Sequence, residues 1–118
     1  MNTRYFTITD PARESAAVEQ AADILLRGGL LAFPTETVYG IAADARNGEA
    51  VKKIFEAKGR PQDNPLIVHI YGMEMLKGIV SEVPDRAYKL AKAFWPGPLT
   101  MVMPRGPEVS DVTCAGLD

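Results

Sequence analysis

The stretch PTETVYGIAADARNGEAVKKIFEAKGRPQDNPLIVHI, residues 34–70, decides how this chain is read. Its 37 residues open on a hydroxyl-rich loop, Pro34-Thr35-Glu36-Thr37-Val38-Tyr39-Gly40. Asn47 can cap a helix whose buried stripe is Val51, Ile54 and Phe55 and which Gly59 ends. Lys58 and Arg60 flank that terminus, and Asn64-Pro65 leads into an apolar run, residues 66–70, that holds the single histidine, His69. Loop, helix and strand follow one another in the α/β manner. Hydroxyls, cations, an amide and an imidazole gather around them, a set suited to a small polar ligand together with phosphates.

Outward from this stretch, residues 4–8 alternate polar and apolar and predict an opening strand. Asp10-Pro11 can start a helix in which Val18, Ala21, Ala22 and Leu25 recur at helical spacing, and Gly28-Gly29 stops it. Residues 30–33 read as a buried strand. A short helix at 73–78, a longer one at 84–94, the rigid Trp95-Pro96-Gly97-Pro98 loop and a strand at 99–103 complete the pattern. The expected architecture is a twisted α/β sheet, mixed or parallel, with flanking helices, in one domain over 1–118 without linkers or repeats. The chain stops at Val112-Thr113-Cys114-Ala115-Gly116-Leu117-Asp118 with no cap or polar tail, which reads as a domain incomplete at its C-terminus.

Composition sets the bounds. With 47% hydrophobic and 24% charged residues, the 118-residue chain has the profile of an ordinary soluble domain. Its net charge of -2 gives no global reason for non-specific nucleic-acid binding. The charge is uneven, however. From Arg46 to Arg60 five cations face two acids, a local field of +3, although Lys52 and Lys53 equally suit a solvated helix face. Cys114 is the only cysteine, so no intrachain disulfide forms and a reducing cytoplasm is the simplest location. No apolar stretch is long enough to span a membrane.

Lys58 and Arg60 can be read as dipole compensation at a helix C-terminus, worth about 0.3–1 kcal/mol each. One cation suffices for that, and Pro61 prevents the helix from continuing, so both side chains are presented from a loop. An Arg fork beside a mobile Lys charge suits a phosphate chain. No GxxxxGK[ST] or GxGxxG loop is present, which leaves phosphate to side chains. Thr35, Thr37 and Tyr39 would point to one side if the chain stays extended, with Val38 and Ile41 towards the core. Threonine and tyrosine are also ordinary strand residues. In 66–70, Leu66, Val68 and Ile70 would share one face and Ile67, His69 and Tyr71 the other. A lone histidine in such a strand is more often a satisfied core residue than a ligand. Asn64, held extended by Pro65, is either a loop residue or an amide facing the same phosphates as Arg60. No second histidine and no Cys/His cluster offers a metal site, and no serine sits in a nucleophile turn.

With FPTETVYGIAADA, AVKKIFEAKGRPQDNPLIVHI and the weaker FWPGPLTMVMPR assembled, the sequence resembles the YrdC-like family of threonylcarbamoyl-AMP synthases, from about Leu30 to Arg105. The resemblance implies a twisted α/β sheet with a concave active face. It implies condensation of L-threonine, bicarbonate and ATP into threonylcarbamoyl-AMP and pyrophosphate, for modification of the tRNA adenosine next to the anticodon by partner proteins. By position, Thr37 and His69 would contact threonine, Arg60 and Asn64 ATP, and Lys58 the phosphates, while Thr35 and Tyr39 would line the pocket. Lys58 and Arg60 would act in catalysis by stabilising charge on the triphosphate. Mg2+ would be held mostly by ATP oxygens and water, since no carboxylate cage is apparent. The family's Ser-x-Asn element is missing, because Ser15, Ser81 and Ser110 all lack it. Members of the family are longer, so the chain resembles an N-terminal portion, one expected to be a poor catalyst alone and to pair through an exposed sheet edge. Two rival readings stay open: a carbamoyl-AMP-forming domain of hydrogenase maturation, and a non-catalytic RNA-binding module.

Overall fold

Local rules account for the first helix. The Asp10 side chain accepts the Ala12 N–H at 3.1 Å and its carbonyl takes the N–H groups of Arg13 and Glu14, a turn that leads into α1 (Ser15–Leu26). Gly28 N–H donates to the Leu25 carbonyl and Gly29 N–H to that of Ile24, the paired bonds of a Schellman end, with Gly28 in the left-handed region at φ 87°. The computed structural model describes residues 3–59 and 65–114. After α1 come β1 (Leu31–Pro34), β2 (Tyr39–Ala42), α2 (Gly48–Lys58), a 3-10 turn (Met73–Leu76) and α3 (Asp85–Phe94).

β1 and β2 pair antiparallel, with Leu31 opposite Ala42 and Pro34 opposite Tyr39. The ladder among the described residues is thus a hairpin. Only four residues separate the strands, and a parallel partner would need a crossover of a dozen or more. The extended run expected through Thr35, Thr37 and Tyr39 is replaced by a turn. Thr35 Oγ1 accepts the N–H groups of Thr37 at 3.4 Å and Val38 at 3.3 Å and donates to the Val38 carbonyl. The turn also carries Val38 and Ile41 away from the core, leaving them 72% and 36% exposed.

α2 forms as its sequence dictates. Asn47 caps it by accepting the Ala50 N–H at 3.2 Å, and Gly59 closes it at φ 63°. Ala50, Val51, Ile54 and Phe55 are buried on its inner face, and Leu76, Ala87, Ala91 and Val109 complete the core. Lys53 Nζ donates to the Gly28 carbonyl at 2.9 Å, tying α2 to the end of α1. α3 follows Pro84 and turns Ala87 and Ala91 inward. The Trp95–Pro96 bond beyond it is cis, and the Trp95 indole N–H donates to the Leu99 carbonyl at 2.9 Å.

Three expected strands, at 4–8, 66–70 and 99–103, form no ladder among the described residues. The period of 2 is present nonetheless: Leu66, Val68 and Ile70 are half-buried, whereas Ile67 and His69 are exposed. Alternation fixes which way side chains point. A strand also needs a neighbouring backbone, and here that reduces to single bonds such as Leu66 N–H to the Thr113 carbonyl at 3.0 Å. A Val80–Arg105 antiparallel bridge is a second such link.

Candidate functional site

Among the described residues, the cations of the central stretch have separate structural partners, with one exception. Arg46 pairs with Asp44 at 3.2 Å and Lys52 with Glu49 at 3.2 Å, while Lys53 holds the Gly28 carbonyl. Lys58, in the last turn of α2, is exposed and has no hydrogen bond or ion pair among the described residues. Its position satisfies the helix dipole, and its charge stays available to a ligand. Arg60 and Asn64 lie outside the described residues.

His69 stands on the exposed face of its segment and is not a core residue: the half-buried face belongs to Leu66, Val68 and Ile70. Nδ1 lies 3.3 Å from the Ile67 carbonyl. A carbonyl can only accept, so Nδ1 carries a proton there. Thr37 is exposed at the hairpin tip, its hydroxyl unengaged among the described residues, and Tyr39 is 75% exposed on the same hairpin. Thr35 is half-buried and its hydroxyl is occupied in closing the turn, which makes it a builder of the loop more than a free contact. The structure therefore joins Thr35 to Thr37 directly. No hydrogen bond or ion pair among the described residues connects the hairpin to Lys58 or His69.

Asp44 was not apparent as a site-building residue in the sequence. Burial acts to raise its carboxyl, but hydrogen bonds from the Arg46 backbone N–H and guanidinium, and the guanidinium charge, outweigh burial and hold it below the ordinary carboxylate range. The same contact raises the Arg46 guanidinium. The signal was present as an Asp two residues before an Arg, the pattern of an Asx turn. Thr113 was also missed. It is 2% exposed and bonded to Ala45, 68 residues away, a relation that no local pattern encodes.

The described residues contain no group of three His, Cys, Asp or Glu placed to hold a metal. A concavity of about 760 Å³ is lined by residues between Val102 and Asp111 and includes none of the candidate ligand-binding residues. Arg105 within it already bonds Asp111 at 2.5 Å and the Val109 carbonyl at 3.3 Å. Thr37, Tyr39, Lys58 and His69 are exposed instead.

Comparison with known proteins gives a consistent result. A family model named Sua5/YciO/YrdC, described as telomere recombination, matches residues 23–118. A threonylcarbamoyl-AMP synthase of Pyrococcus abyssi is 53% identical over 105 residues, 89% of this chain and 31% of that protein. One from Bacillus subtilis is 51% identical over 102 residues, 86% of this chain and 30% of that protein. The crystal structure of P. abyssi Sua5 complexed with L-threonine matches with a TM-score of 0.85 at 53% identity, covering 89% of this chain and 31% of that one. The chain spans about 31% of the length of that relative and a similar share of the second.

Proposed function

The chain belongs to the Sua5/YciO/YrdC family, and from that premise we propose that it is the part of a threonylcarbamoyl-AMP synthase that presents the phosphate-binding cations and the threonine-binding histidine. The reading is carried by one observation in particular: Lys58 has no partner among the described residues, at the end of a well-capped helix whose other cations are engaged.

In the proposed reaction the threonine amine takes up bicarbonate as a carbamate, with loss of water. A carbamate oxygen then attacks the α-phosphorus of ATP, and the bond to the β-phosphate oxygen breaks to release pyrophosphate. No protein nucleophile is required. Lys58, with Arg60 and Asn64, binds the triphosphate and stabilises charge that develops on the leaving pyrophosphate. His69 contacts threonine, and Thr37 offers its hydroxyl beside it. Thr35 keeps the hairpin turn closed, and Tyr39 lines its edge. Mg2+ would arrive with ATP, neutralising triphosphate charge, and hard oxygens of the nucleotide and water suit it better than this donor set. The product would pass to a protein that modifies tRNA.

The test is ATP–pyrophosphate exchange in the full protein, these residues with whatever chain accompanies them. Exchange that requires threonine and bicarbonate supports the reading. Exchange that proceeds with carbamoyl phosphate and ignores threonine assigns the domain to carbamoyl transfer and overturns it.

A further inference from the structure

The candidate residues come from separate segments, so something must hold those segments in one frame. Thr113 is the buried polar side chain at that junction. Its hydroxyl donates to the Ala45 carbonyl at 3.3 Å, in the loop that precedes α2. That leaves the Ser110 hydroxyl, 3.0 Å away, to donate to Thr113 Oγ1, while Ser110 Oγ accepts the Thr113 N–H at 3.3 Å. The Thr113 carbonyl takes the Leu66 N–H at 3.0 Å, at the start of the segment that carries His69. A single residue thus bonds both to the entry of the Lys58 helix and to the root of the His69 segment. The approach is close: a Cβ built on Gly48, the first residue of α2, would lie 3.3 Å from Ser110 Cβ.

We propose that Thr113 is a positioning residue: its hydroxyl, bonded to Ala45, and its carbonyl, bonded to Leu66, together lock the His69 segment to the start of the Lys58 helix, and so set the carbamate–ATP alignment in the reaction proposed above, on which this inference rests. The residue touches neither substrate in this assignment. Its loss should disturb the reacting geometry and leave each binding half largely intact, because misplacement by about 1 Å can cost about 100-fold in rate.

Thr113→Val keeps the shape and removes the hydroxyl. In the full protein, threonine-dependent ATP–pyrophosphate exchange at saturating substrates should fall by about 10- to 100-fold. Dissociation constants for ATP alone and threonine alone should stay within about threefold, since the binding groups themselves are untouched. Thr113→Ser, which retains the hydroxyl, should restore exchange to within about threefold of wild type. The His69 imidazole resonances should move in Thr113→Val and stay in place in Thr113→Ser. Should Thr113→Val fail to fold, Thr113→Ala removes the same hydroxyl with a smaller side chain and takes its place. Wild-type exchange in the hydroxyl-deficient variant, a loss that serine does not restore, or a loss with unmoved His69 resonances overturns the proposal. Absence of threonine-dependent exchange in the wild type instead defeats the functional reading, and the resonance comparison then decides the positioning role by itself: unmoved signals overturn it.

Discussion

At the scale of the residue, Lys58 and His69 differ in how plainly the sequence speaks for them. Lys58 was legible because a helix end needs one cation and this end offers two. Its exposure and lack of a structural partner among the described residues make a specific prediction. Lys58→Ala should lower threonine-dependent pyrophosphate release by about 10- to 150-fold, the loss of a charge-assisted bond of roughly 1.5–3 kcal/mol. Far-UV circular dichroism should be unchanged and the thermal midpoint should fall by no more than a few degrees, the loss of one helix-dipole contact, and unaltered turnover would remove Lys58 from the site. His69 was harder. Alternation placed it opposite Leu66, Val68 and Ile70, but alternation alone does not say which face is covered, and the covered face is the aliphatic one. With His69 exposed, His69→Ala should raise the threonine requirement several-fold more than the ATP requirement. Equal effects on both would place the residue outside the threonine site. Thr35 was misread for a different reason. A hydroxyl that points from an extended chain and one that folds back to close a turn look alike in sequence, and only the hydrogen bonds to Thr37 and Val38 separate them.

At the scale of the element, α2 could be read almost to the residue because all of its determinants are local: an Asn cap, a buried stripe and a glycine in the left-handed region. Removing the cap should act locally too. Asn47→Ala costs about 1 kcal/mol, so the Ala50 amide should exchange with solvent about fivefold faster, by mass spectrometry or NMR. Unchanged protection there would show that tertiary packing alone holds the first turn. The strands were less legible, since a ladder depends on a partner distant in sequence, and of the mixed or parallel sheet expected the described residues form an antiparallel hairpin closed by four residues. The turn before α2 adds a pH signature. The Asp44 carboxyl is depressed in the fold, so its stabilising contribution is complete above the ordinary aspartate range near 4 and is lost as pH falls through the lower folded value. Asp44→Asn keeps an acceptor for the Arg46 N–H and loses the charge. Its deficit in stability against wild type should therefore be constant at neutral pH and shrink below about pH 4, in denaturation followed across pH. A deficit independent of pH would mean that the carboxylate charge contributes nothing.

At the scale of the whole molecule, surface area carries the argument. A closed monomer of 12.8 kDa exposes about 6,300 Å² by the usual scaling, and this chain exposes 8848 Å². Its radius of gyration is 15.2 Å, against about 13.5 Å for a compact domain of this length. The excess is about 2,500 Å², above the roughly 1,600 Å² of a standard protein interface. Part of it is apolar: Ile67 and Tyr71 stand beside His69 on the uncovered face, and Val102 is fully exposed on another alternating segment. Those same segments lack ladder partners among the described residues, so unpaired backbone accompanies uncovered side chains. Residues 1–118 purified by themselves should accordingly self-associate, with a mass by light scattering above 12.8 kDa that rises with concentration. They should also release pyrophosphate far more slowly with threonine and ATP than the full protein does, because the apolar face beside His69 is uncovered and leaves that side of the site open to water. A stable monomer with turnover matching the full protein would show that these residues close their own site and need no further cover.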